Sequence, residues 1–66
     1  MTITVNGEPR EVPAGTRVPA LLEMLGLNTA RVAIERNLEI LPREHWPATE
    51  VAAGDRYEIV HFVGGG

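Results

Sequence analysis

The chain opens with a strict alternation, Ile3 and Val5 set against Thr2 and Thr4. A period of two places one side-chain set on each face of a β-strand, so the apolar pair faces a core. Asn6-Gly7 follows, a dipeptide that favours a tight hairpin turn, and a second short extended run covers Arg10 to Val12. The period then changes. Val18, Leu21, Leu22 and Leu25 fall at i, i+3, i+4 and i+7, which predicts a short helix over residues 18–25 with one buried stripe. Thr16 or Arg17 sits just before it, Pro19 is tolerated in a first turn, and Gly26 can take the left-handed conformation that ends it.

Strand-like alternation returns in "RVAIERN", with Val32 and Ile34 on one face and Ala33 and Glu35 on the other, before the chain turns around Asn37 into "LEIL". Two more short strands are expected there. Between Pro42 and Pro47, "REHW" reads as one irregular turn from which Trp46 closes the open end of a small core. Gly54-Asp55 then turns into "RYEIVHFV", the longest run of strong strand formers in the chain. The order β, β, α, β, β predicts an α+β fold of the β-grasp (ubiquitin-like) kind, a mixed sheet with one main helix packed on one face. Its last strand should be central and parallel to the first. On that reading residues 1–63 form the β-grasp domain and residues 64–66 a flexible glycine tail.

Both faces of the last strand carry apolar groups: Tyr57, Ile59, His61 and Val63 on one, Val60 and Phe62 with Glu58 on the other. One helix covers only one face. The patch formed by Val60, Phe62 and the neighbouring Val63 is therefore either a partner-binding surface or is covered by Trp46 and the loops.

Sixty-six residues suffice for one small domain, and 44% apolar with 23% charged residues suits a globular chain rather than a disordered one. Cysteine is absent, which removes disulfides, thiolate zinc sites and a thiol nucleophile; serine is absent too, which removes the other usual acyl-transfer nucleophile. His45 and His61 lack the companions of a metal site, so no metal is expected. Asp55 and Glu58 flank Tyr57 but point in different directions and do not make an acid-base pair. A net charge of -3 with scattered basic residues argues against nucleic acid as a partner. Glu8, Glu11, Glu35, Glu39 and Glu50 read as a solvated surface. No apolar run approaches the roughly 18 residues of a membrane helix and no signal peptide opens the chain, so no membrane and a cytoplasmic location are expected. The pattern suits a protein on which enzymes act better than it suits an enzyme.

The chemistry that remains is at the end. Gly64, Gly65 and Gly66 follow the last strand with no polar spacer. Three extended residues carry a terminal carboxylate about 10 Å beyond a sheet, and without Cβ atoms they pass through a narrow channel. A glycine run is often no more than a loose end. Here, though, it is launched from a strand that completes a fold. A carboxylate resists nucleophilic attack until it is joined to a leaving group such as AMP, after which a sulfur nucleophile can convert it to a thiocarboxylate.

"TVNGE", "VPALLEMLGL", "VAIERN", "GDRYEIVHFV" and the glycine tail together resemble the ThiS family, the sulfur carriers of thiazole formation in thiamine biosynthesis, over nearly the whole chain. The resemblance implies that an E1-like adenylyltransferase of the ThiF type uses ATP to adenylate Gly66, with Gly64 and Gly65 threading into that partner. Gly66 then becomes a thiocarboxylate, supplied by a donor system such as a cysteine desulfurase, and passes its sulfur to a ThiG-type thiazole synthase. No cofactor is bound by the carrier itself. Leu38 departs from the family pattern, which often has glycine after the asparagine, and Pro19 is less usual at the helix start. Two other readings stay open: a related carrier serving molybdopterin or another sulfur-containing product, and a plain ubiquitin-like binding module with an idle tail.

Overall fold

The computed structural model describes residues 1–62. β1 (Thr2–Val5) and β2 (Glu8–Glu11) form an antiparallel hairpin with Ile3 opposite Arg10. Asn6 and Gly7 both take positive φ, 50° and 82°, as the two-residue loop requires. α1 (Val18–Met24) follows, then β3 (Val32–Arg36), β4 (Glu39–Ile40) and β5 (Arg56–His61). The sheet order is β2-β1-β5-β3-β4, with β5 parallel to β1 and antiparallel to β3. This is the β-grasp roll expected from the sequence.

The helix buries Val18, Leu21 and Leu22, and Leu25 packs at the edge of the same cluster. Its stripe meets Ile3, Val5, Val32, Ile34, Val51, Tyr57 and Ile59. Each large aliphatic side chain so buried contributes about 1.5–3 kcal/mol. Arg17, extended at the helix start, makes no side-chain cap; the amide of Val18, which has no partner within the helix, instead donates to Thr49 O at 3.0 Å. At the other end Gly26, at φ 72°, donates to Glu23 O while Leu27 N–H reaches Leu22 O, the paired bonds of a Schellman closure.

Two differences from the sequence expectation have local causes. The segment around Trp46 is a six-residue 3-10 helix, Arg43–Ala48, held by the indole N–H bond to Leu41 O (3.0 Å) and by the Arg43 guanidinium 4.4 Å from the ring centre. A second 3-10 turn, Thr29–Arg31, begins at Asn28, whose side chain accepts from Ala30 N–H. Both are closed by side-chain bonds too local to leave an apolar period.

Leu38 settles the turn at Asn37. Arg36 pairs with Glu39, so Asn37 and Leu38 form a two-residue loop, and they hold φ of 52° and 71°. The turn that glycine favours is therefore kept by a side chain that strains it. Asn37 helps, accepting from Arg56 N–H and donating to Asp55.

Asp55 is the buried polar centre of this end of the fold. Its carboxylate accepts from Ala52 N–H, Arg36 Nε, Asn37 Nδ2 and the Tyr57 hydroxyl, all within 3.2 Å. Burial alone would push the carboxyl up, but these four donors outweigh it and hold Asp55 below its ordinary 3.8. Tyr57 moves the other way: burial first, then its bond to Asp55, push the phenol up to about 12 from 10.0.

The folded chain thus binds the Asp55 proton less readily than the unfolded chain does. Its contribution is complete above pH 3.8 and is lost as pH falls through the depressed folded value. The Tyr57 contribution is complete below pH 10.0 and is lost as pH rises towards about 12. Denaturant unfolding followed by Trp46 fluorescence should show stability falling at both ends, and Asp55→Asn should flatten the acid limb while costing about 1–3 kcal/mol at neutral pH. Leu38 is 70% exposed, so Leu38→Gly loses little packing and should raise stability by about 0.5–1 kcal/mol in the same assay.

Candidate functional site

The central strand sets up the site. Tyr57 and Ile59 point into the core, so the alternate positions Glu58 and Val60, and Phe62 just beyond the strand, lie on the face opposite α1. Val60 is 58% exposed and Phe62 56%. Trp46 packs into the helix-side cluster and leaves this face open. β3 adds Ala33 and Glu35, and β4 adds Ile40, 78% exposed, directly opposite Glu35. Ala33, Ile34, Glu35, Ile40, Glu58 and Val60 line a shallow groove of about 120 Å³.

Of the residues singled out in sequence, Val60 and Phe62 thus share one exposed apolar face. Val63, Gly64, Gly65 and Gly66 lie outside the described residues. Ile40 belongs to the same face, a position that a two-residue strand does not reveal by periodicity.

The base of the tail is anchored from both sides. On the β3 side, Phe62 N–H donates to Arg31 O at 2.8 Å. On the other side β1 ends at Val5, yet Asn6 continues the ladder with its side chain: Ile59 N–H donates to Asn6 Oδ1 at 2.7 Å and Asn6 Nδ2 donates to Ile59 O at 3.2 Å. The amide of Asn6 therefore stands in for a missing strand residue. Its backbone is bent at positive φ to place it there. Sequence reasoning saw Asn6 only as a turn former, because a contact across 53 positions leaves no local signal.

Comparison with known proteins joins this geometry to a family. The ThiS family model matches residues 3–66. The chain belongs to the ThiS family. It is 35% identical over 66 residues to the sulfur carrier protein ThiS of Escherichia coli, with each chain covered completely. The crystal structure of a thiamine biosynthesis protein (ThiS) from Geobacter metallireducens superposes with a TM-score of 0.86 at 40% identity, again covering both chains. A thiazole synthase of Paramagnetospirillum magneticum is 47% identical over the same 66 residues, and there the ThiS-like chain spans only 20% of the relative's length. A thiazole synthase of Magnetococcus marinus shows the same proportion at 42% identity.

In this ThiS-family chain the Asn6 side chain ties the turn after β1 to Ile59 of β5. Asn6→Gly keeps the positive φ and removes only the side-chain bonds. It should cost about 1 kcal/mol, with the Ile59 amide losing hydrogen-exchange protection ahead of the rest of β5.

Proposed function

We propose that this chain is a sulfur carrier whose reactive group is the carboxylate of Gly66, serving thiazole formation in thiamine biosynthesis. The observation that carries the reading is that the family match runs through the glycines to residue 66. In the proposed sequence the Gly66 carboxylate attacks the α-phosphate of ATP on an E1-like adenylyltransferase, and pyrophosphate leaves. A sulfide equivalent, ultimately from a donor such as a cysteine desulfurase, then displaces AMP and leaves a thiocarboxylate. ATP is the activating enzyme's substrate; the carrier supplies no catalytic group.

What this chain contributes is presentation. Gly64 and Gly65 have no side chains to obstruct a narrow active site. Val60, Phe62 and Val63 form the partner-binding surface at the root of the tail. The composition supports the scheme: with no cysteine, no serine and no lysine, the chain lacks the thiol, serine hydroxyl and side-chain amine that would most readily capture its own activated end. The thiazole synthase relatives, each containing a stretch similar to this whole chain, favour a thiazole synthase as acceptor. A cytoplasmic location, where ATP is available, accords with this reading.

The test is to incubate the chain with ATP, the adenylyltransferase and sodium sulfide and to weigh it by electrospray mass spectrometry. Exchange of oxygen for sulfur should add about 16 Da. A chain lacking Gly65 and Gly66 should gain nothing, and Phe62→Ala should slow charging about tenfold while leaving the melting temperature nearly unchanged. An unshifted mass for the intact chain would refute the reading.

A further inference from the structure

The groove on the outer face has a charge arrangement that the folded chain alone does not justify. Glu35 and Glu58 stand directly opposite each other on β3 and β5. Facing side chains in such a pair are about 5 Å apart at Cβ, and like charges placed there destabilise a sheet. Neither carboxylate joins an ion pair among the described residues. Arg56 is two positions from Glu58 along β5, on the same face, yet among the described residues it too forms no ion pair. Between and beside the two carboxylates lies apolar surface, Ala33, Ile40 and Val60, two of them large side chains more than half exposed.

An apolar hollow flanked by two unneutralised carboxylates is complementary to one kind of protein surface. The groove of about 120 Å³ has room for one aliphatic side chain, and a guanidinium fork can bridge two neighbouring carboxylates. We propose that this groove receives an apolar side chain of the thiazole synthase, with an adjacent arginine seated between Glu35 and Glu58. The proposal rests on the sulfur-carrier reading above. It adds the chemistry by which the acceptor is recognised. Gly66 is six residues beyond Val60 in the sequence, a chain length that spans at most about 22 Å, which lets one partner hold this face and take the terminus together. The repulsion across the pair is tolerated in the free chain and relieved on docking, which makes it a selector against partners without the cation.

The experiment compares the intact chain, Glu35→Gln, and Glu35→Gln with Glu58→Gln by titration calorimetry against the thiazole synthase and, separately, the adenylyltransferase of the same organism, at low and at raised salt. The double variant should bind about tenfold weaker at low salt, with the salt dependence of binding flattened, and should melt no lower than the intact chain. The single variant should lie between. Equal affinity of the double variant and the intact chain overturns the groove, and leaves the carrier reading standing if the intact chain still gains sulfur. A loss confined to the adenylyltransferase overturns the assignment to the synthase. If the intact chain neither gains sulfur nor binds the synthase, the carrier reading and the groove fall together.

Discussion

The structure depends on one constraint: the last strand of the chain is the innermost strand of the sheet. β5 lies between β1 and β3 and pairs with both, so the sheet is closed by contacts that join the two ends of the sequence. Tyr57 and Ile59, pressed under α1, convert that pairing into a buried core. Such placement costs loop-closure entropy, and the burial of a dozen apolar side chains offsets it. It also means that the last residues follow directly on a strand paired with β3 as far as His61.

The ends of β5 are secured by polar side chains rather than by more strand. At its start the Asp55 carboxylate gathers Ala52, Arg36, Asn37 and Tyr57, tying the turn before β5 to the hairpin of β3 and β4. Towards its end the Asn6 amide replaces the residue that β1 lacks. These contacts leave few backbone groups of the strand without a partner while keeping the molecule small. The same economy leaves the face opposite α1 bare. One helix on a five-stranded sheet covers one side, and Ile40, Val60 and Phe62 remain at the surface of the other.

That asymmetry links fold to function. A sulfur carrier acting as proposed is recognised by more than one enzyme while its reactive end stays slender. On the proposed reading, the open sheet face serves binding and the terminal glycines serve the chemistry. Family membership and the proposed acylation chemistry agree with this division, since a chain without cysteine, serine or lysine has little with which to attack its own activated terminus.

The amino-acid sequence by itself determined the elements that rest on local periodicity and local stereochemistry. The alternation at Ile3 and Val5, the stripe Val18, Leu21, Leu22 and Leu25, the glycine closure of α1 and the shared parity of Val60 and Phe62 are all written in spacing alone. Tertiary structure decided what depends on residues far apart in the chain. Asn6 became a surrogate strand residue, Asp55 a buried junction, Trp46 part of the helix-side core, and Ile40 a neighbour of Val60. Leu38 shows the boundary between the two: its side chain predicts nothing about a left-handed turn, and the hairpin imposes one because the pairing around it is worth more than the strain. Periodicity reports which way a side chain faces, whereas its partner across the sheet is fixed only when distant segments close on one another.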